Sequence, residues 1–411
     1  VNFEFFAARR IVASKDYKSS VSGPIIKIAI AAIALGVAIM LVSLATTLGL
    51  QTKIREKVSA FNGHIIISNF DTNSSDESQK PIPIQQEFYP KYTSVEGVEY
   101  IQTSAAKGGV IRTATDFEGV IVKGVGTDYR WSYFEDFLRE GRLPNFTEAL
   151  NDEVLLSTYL ANRLQLSLND RINVFFLKEG TEQKVRSLGL TIVGLYDSSF
   201  EEFDKQFAIA DIRHIQRLNK WTQDEVGNFE IFVEDFSDIQ TIGAAVYEDI
   251  PSHLDAITIR DKYYSIFEWI DLFDFNLYLI IGIMIFISGI NMITALLVLI
   301  LDRTQMIGIL KALGSTDWSI RKIFLYNAAY IICIGLFFGN LLGLGLLVAQ
   351  KYGKFVSLDP STYYVTEAPV AINLSYILLL NVGTLLLCLL MLLIPSYLVS
   401  KISPVKAIRF E

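Results

Sequence analysis

Cysteine and histidine are scarce in this sequence, with two of the first and three of the second among 411 residues. Cys333 and Cys388 both fall inside long apolar runs, so the polar part of the chain has no disulfide to stiffen it. His64, His214 and His253 lie far apart without metal-ligand spacing, and ordinary core or surface roles account for them. Also missing are the phosphate-cradling G-x-x-x-x-G-K-[ST], the nucleophile elbow G-x-S-x-G and the zinc helix H-E-x-x-H. No catalytic residue, metal site or cofactor is therefore assigned to this chain, and any ATPase must be another polypeptide. Charge is thin as well, at 19 % of residues against 51 % hydrophobic.

So much apolar sequence must face lipid or pack within a bilayer. Four runs account for it, at residues 25–50, 277–301, 323–349 and 374–400. Each is about 25 residues, or roughly 37 Å of helix, enough to cross a ~30 Å hydrocarbon core with some tilt. Only Lys27 is charged within them, one turn from an end, where it can snorkel. The first run follows a long polar lead and has no small-residue cleavage site, which argues against a signal peptide. Orientation follows from the basic residues of the short segments. Arg9, Arg10, Lys15, Lys18 and Lys27 precede the first run, and Arg303, Lys311, Arg321 and Lys322 lie between the second and third. Lys401, Lys406 and Arg409 follow the fourth, whereas Lys351 and Lys354 are offset by Asp359 and Glu367. Both termini and residues 302–322 are thus expected in the cytoplasm, and residues 51–270 outside. That outer segment carries a net −13 against +5 for the remainder, which argues against nucleic acid as a partner.

The resulting fold class is an α-helical membrane protein with four transmembrane helices and a large α+β periplasmic domain between the first and second. In chain order we expect an interfacial amphipathic helix (1–24), the first span (25–50) and a periplasmic domain (51–276) with helical stalks at 51–61 and 261–276. The second span (277–301), a cytoplasmic segment (302–322), the third span (323–349), a periplasmic loop (350–373), the fourth span (374–400) and a tail (401–411) follow. Within the outer domain, period-2 patterns predict strands at 64–70, 109–114, 119–125, 172–177, 188–196, 206–210 and 229–234. Helices are predicted at 151–165, 211–219 and 237–248, the last capped by Ser237. Residues 71–87 read as a polar, Pro-interrupted loop, and two lobes are expected, one from both ends of the segment and one from its middle. Gly335, Gly339 and Gly343, with Gly345 beside them, give the third span a small-residue face for close helix packing.

Residues 301–324 read LDRTQMIGILKALGSTDWSIRKIF, two short amphipathic segments flanking Gly314. Ile307, Ile309, Leu310 and Leu313 form an apolar ridge without a membrane run of its own, which needs a partner surface or lipid. RTQMIGILKALGSTDWSIRKIFLYNA resembles the coupling segment of the FtsX-like permease superfamily, approximately E-R-x-x-E-I-G-I-L-K-A-L-G-A. The terminal ISPVKAIRFE is similar to that superfamily's I-x-P-V-x-A-L-R-Y/F-E signature. FFAARR, followed by IAIAAIALGVAIMLVSLATTLGLQTKIREKVSAFNGHIIIS, resembles the opening of lipoprotein-releasing permeases. Two internal stretches, DEVLLSTYLANRLQLSLNDRINVFF and LTIVGLYDSSFEEFDKQFAIADI, are similar to their outer domain. Two departures stand out. Met306 replaces the superfamily's usual acidic residue, and residues 175–188 are short and polar without a Pro-rich hook.

The resemblance implies the type VII, MacB-like ABC permease architecture and an inner-membrane permease that hands lipoproteins to a periplasmic carrier. It implies cytoplasmic ABC ATPase subunits holding ATP and Mg, a second permease copy or paralogue, a lipoprotein substrate and contact with membrane lipids. The ATPase-coupling residues would be Arg303, Met306, Ile307, Gly308, Ile309, Leu310, Lys311, Ala312, Leu313 and Gly314. Met40, Leu44, Leu48, Phe286 and Ile290 are the candidates for a lipid cavity, with ordinary helix packing as the alternative for each. Phe175, Phe176, Leu177, Lys178, Glu179 and Gly180 are the candidates for carrier docking. Rival expectations are a mechanotransmitting permease that switches a periplasmic partner without moving substrate, and a non-transporting membrane receptor.

Overall fold

The computed structural model describes residues 3–13, 22–70, 79–147, 150–176 and 186–402. These fall into two units. One comprises residues 1–51, 270–357 and 367–411, the other residues 52–269 and 358–366.

The first unit contains helices long and apolar enough to cross a membrane. They are Ser22–Asn62 and Tyr264–Asp302, each of which continues into the second unit, and Asp317–Gly353 and Leu374–Ser396, the last extended by Leu398–Lys401. Small residues decide how they pack. A Cβ placed on Gly335 would lie 2.7 Å from Ile33, on Gly339 2.7 Å from Val37, and on Gly343 3.1 Å from Leu41. The contact numbers rise together on both helices, so the first and third spans run parallel, with backbones as close as hydrogen-only residues permit. Gly345 meets nothing within 4 Å and lies off this face. On the other side of the third span, Asn340 and Asn381 exchange amide hydrogen bonds at 2.6 and 3.0 Å, joining it to the fourth. The N-terminal helix Phe3–Ala13 lies along the third span, Phe5 edge-on to Tyr326 and the Ser319 hydroxyl donating to Glu4, with Phe3, Phe5 and Phe6 all exposed.

The second unit is built on a ten-stranded sheet. Its strands are β1 (Ile65–Asn69), β3 (Val98–Arg112), β4 (Phe117–Val125), β5 (Leu138–Gly141), β6 (Glu153–Ser157) and β7 (Arg171–Phe176). They continue with β8 (Arg186–Tyr196), β9 (Phe207–Asp211), β11 (Asn228–Val233) and β12 (Leu254–Thr258), while β2 (Ile82–Pro83) and β10 (Glu225–Val226) form a separate ribbon. Because β7 pairs with both β3 and β8, the order β3-β4-β9-β6-β8-β7 closes on itself as a six-stranded ring. β11, β1 and β12 extend outward from the other half of β3, and helix Ile239–Asp249 packs against β12. β3 joins the ring to this outward extension, since it pairs with β11 through Ser104 and with β4 from Ser104 onward.

Local expectations needed three corrections. Residues 153–157, expected to be helical, form β6, because Val154, Leu155 and Leu156 are all buried inside the sheet, where a continuous apolar run suits a central strand. The helix that follows is only Thr158–Leu164, and the Ser157 hydroxyl caps it by accepting from the Leu160 N–H. β3 starts at Val98, eleven residues before the expected strand. Ser237 caps no helix; its N–H donates to Asp235, which closes a 3-10 turn ahead of Ile239–Asp249.

The end of the first long helix is locked into this unit. Phe61 packs against Phe203 (4.7 Å), Phe134 (5.2 Å) and Phe207 (5.5 Å). Its carbonyl accepts from Lys123 Nζ at 2.5 Å, and that of Ala60 accepts from the Tyr129 hydroxyl at 2.9 Å. Lys123 also pairs with Glu230 at 2.6 Å, both side chains 4 % exposed, while Gln102 and Ser104 donate to the same carboxylate. Residues 358–366 belong here too. Tyr364 stacks on Phe200 at 4.3 Å, and its carbonyl accepts from Lys57.

Candidate functional site

The segment between the second and third spans forms helix Thr304–Ala312, a turn at Gly314, and the start of Asp317–Gly353. The Ser315 N–H reaches back to the Leu310 carbonyl and that of Gly314 to Lys311, which requires a left-handed residue at the turn; Gly314 has φ +90°. Thr316 then opens the next helix by accepting from the Ser319 N–H.

One face of this helix packs inward. Ile307 is fully buried in the apolar core of the helical unit beside Ile300, Ile320 and Phe324, with Met306 and Leu310 packed against that core. Gly308 is buried next to Ile307. The expected ridge of Ile307, Ile309, Leu310 and Leu313 is therefore narrower than the sequence suggested. A nine-residue helix must spend one face anchoring itself, which leaves Ile309 and Leu313 outward. Leu313 is 77 % exposed, and exposed Trp318 and Leu301 flank it in sequence. Ala312 and Gly314 are exposed and Arg303 is half-buried, 3.6 Å from Asp302.

Lys311 is not offered to a partner. Its Nζ lies 2.9 Å from Asp317 and donates to the Ser400 and Ile402 carbonyls at 3.2 and 3.0 Å. Arg321 bonds the Ser400 hydroxyl and covers the Tyr397 ring at 4.9 Å. Two basic residues thus clamp the carbonyl end of the fourth span onto the turn. Sequence reasoning placed Lys311 among the ATPase-coupling residues and used Arg321 only as a topology marker, and nothing local in the chain announces a contact some 80 or 90 residues away. Residues 403–411, with most of the terminal signature, lie outside the described residues.

The other expected residues separate by burial. Met40 is fully buried in the helical core, so packing between spans, not an open cavity, accounts for it. Leu44 is partly buried against the same core and Leu48 is half-buried. Phe286 and Ile290 face outward on the second span at 60 % and 46 % exposure. They continue a stripe through Phe275, Leu279 and Ile283 at helical spacing. Phe176 is a core residue of β7, packed over Gly109, so it is no docking residue. Phe175 is half-buried and pairs with Val110, whereas Leu177, Lys178, Glu179 and Gly180 lie outside the described residues.

Comparison with known proteins fits this architecture. The model of the MacB-like periplasmic core domain matches residues 28–248, more than half of the chain, and that of the FtsX-like permease C-terminal region matches residues 278–404. The chain belongs to the FtsX-like permeases with a MacB-like periplasmic core. Such a permease is a transport subunit of the ABC class. Among its relatives, the lipoprotein-releasing system transmembrane protein LolC of Neisseria meningitidis serogroup B is 24 % identical, over 93 % of this chain and 94 % of that protein. The corresponding LolE of Haemophilus influenzae is 20 % identical over 99 % of both. Solved structures similar to this permease include the periplasmic region of MacB from Actinobacillus actinomycetemcomitans (12 % identity, 50 % of this chain, 92 % of that chain, TM-score 0.34). The extracellular domain of the transporter YknZ from Gram-positive bacteria is another (13 % identity, 48 % of this chain, all of that chain, TM-score 0.32).

Proposed function

We propose that this permease extracts lipoproteins from the outer leaflet of the bacterial inner membrane and passes them to a periplasmic carrier, as part of an ATP-driven complex. The observation that carries the reading is end-to-end similarity, over more than nine-tenths of the chain, to proteins named for lipoprotein release. The distribution of Lys and Arg in the short segments supports cytoplasmic termini and a cytoplasmic 302–322 segment. There Ile309 and Leu313 would seat in a separate ATPase chain, which binds ATP and Mg. A second permease copy or paralogue would face the stripe of Phe275, Leu279, Phe286 and Ile290. Lipid extraction explains the need for such a surface. Each acyl methylene moved into water costs about 0.8 kcal/mol, so a triacylated anchor cannot leave the bilayer without an apolar receptacle. Closure of that receptacle, driven through the coupling turn, would push the anchor toward the carrier.

Reconstitution tests this directly. Vesicles holding the permease, its ATPase and a lipoprotein should release the lipoprotein to soluble carrier only with ATP. ATPase activity indifferent to lipoprotein, with no release, would instead establish the mechanotransmitting reading, and failure of any ATPase to co-purify would leave a receptor.

A further inference from the structure

The periplasmic-type unit holds a cavity of about 310 Å³, near the lower limit of small-ligand pockets (~300 Å³). It opens where the parallel strands β4 and β9 end together, at Gly126–Asp128 and at Asp211–Gln216, and the β2–β10 ribbon supplies Val226 and nearby Ile84 to its wall. Ile84, Phe146, Ile212 and Val226 give the wall an apolar part, and Thr147, Gln216 and Gln223 are among its polar residues.

The polar groups are unevenly matched. Arg213 is committed, its Nε 2.8 Å from Asp211 and its terminal nitrogen donating to the Thr147 carbonyl at 2.8 Å. Asp128 has no such counter-charge. Its Oδ2 accepts from the Thr103 N–H (2.6 Å), the Thr103 hydroxyl (3.0 Å) and the Tyr89 hydroxyl (3.2 Å), all neutral donors. No lysine, arginine or histidine forms an ion pair with Asp128 among the described residues, and burial pushes its pKa up from the ordinary aspartate value. Glu230 and Asp211, by contrast, each hold a cation. Of the two carboxylates that line the cavity, Asp128 and Asp211, Asp128 is the one without an ion pair among the described residues.

We propose that this cavity binds a primary ammonium group on an aliphatic stem, with the Asp128 carboxylate as its counter-ion and Ile84, Phe146, Ile212 and Val226 along the stem. The geometry favours ammonium over guanidinium. Three donors already occupy Oδ2, so the two parallel bonds of a guanidinium fork have only Oδ1 to use, whereas a point donor needs one oxygen. Gly126 keeps Oδ1 accessible, since a Cβ there would sit 2.6 Å from it. A free diamine and a lysine side chain of a polypeptide share this chemistry.

Calorimetry on the full chain in detergent separates them, using 1,5-diaminopentane, N-acetyl-lysine methylamide and the uncharged 1,5-pentanediol. At least one amine should bind saturably and the diol at least tenfold more weakly. Binding of the diamine alone assigns a free amine, and binding of the lysine derivative alone assigns a polypeptide. Asp128→Asn should weaken amine binding at least tenfold. Thr127→Trp, at an exposed position lining the cavity, should block it while leaving the fold intact, so the proposal stays testable if the first variant does not fold. Diol binding as tight as the amine, no saturable amine binding, or unchanged affinity in a folded Thr127→Trp or Asp128→Asn protein overturns it.

Discussion

Lys123 and Glu230 show what single residues hold up in the outer unit. Their ion pair is out of water, and Gln102, Ser104 and the Phe61 carbonyl add hydrogen bonds to it. Removing one partner leaves a buried charge alone, so Lys123→Met should cost about 3–5 kcal/mol of outer-unit stability in denaturant titration. Lys123→Met combined with Glu230→Leu should recover a substantial part, because no charge is then stranded. Two titrations of opposite sign act nearby. Burial raises the Asp204 pKa to about 6, against ~4 unfolded, so the native state holds the extra proton and stability falls as pH rises from about 4 to 6. Burial lowers the His64 pKa to about 4, and its Nδ1 accepts from the Val233 N–H, so stability falls as pH drops from ~6.5 to 4. Thermal unfolding of Asp204→Asn should therefore gain more with rising pH across this window than the parent, and His64→Gln less, each by on the order of 2–3 kcal/mol. Neither carboxylate nor imidazole was legible as special in the sequence, because burial is a property of the fold.

Among elements, the third span meets the first span, the fourth span and the N-terminal helix through different kinds of contact. Its Gly335–Gly339–Gly343 face was readable from spacing alone, because backbone approach depends only on what Cβ is missing. Gly339→Ile should disrupt the helical unit, since the new Cβ would begin 2.7 Å from Val37 Cβ; a fall in detergent melting temperature reports it. The Asn340–Asn381 pair was not readable, as two asparagines 41 residues apart carry no mark of partnership. Replacing both by Leu should cost little, about 0.6–1.7 kcal/mol, if the pair follows other hydrogen bonds in membranes. Helix Thr304–Ala312 was legible as an amphipathic segment but not in its depth, since Ile307 and Ile309 look alike in sequence and only packing buries one. Leu313→Asp, together with Ile309→Asp, should abolish ATPase co-purification while the melting temperature stays near that of the parent. Leu310→Asp would confuse the test by damaging the core it packs against.

At the scale of the whole molecule, four spans, the polar segment between the first two and the small-residue packing face were set by composition and spacing. Partitioning of apolar runs into lipid, and the length needed to cross it, depend on sums over 20 or more residues that no tertiary contact can reverse. The strand pairing of the outer unit, the closure of its ring through β7, and the burial of Lys123, Asp204 and His64 came only with the fold. So did the clamp of Lys311 and Arg321 on residues 400–402 and the cavity at Asp128. Each of these joins residues distant in the chain, and local pattern records which face of an element is apolar but not which surface it meets.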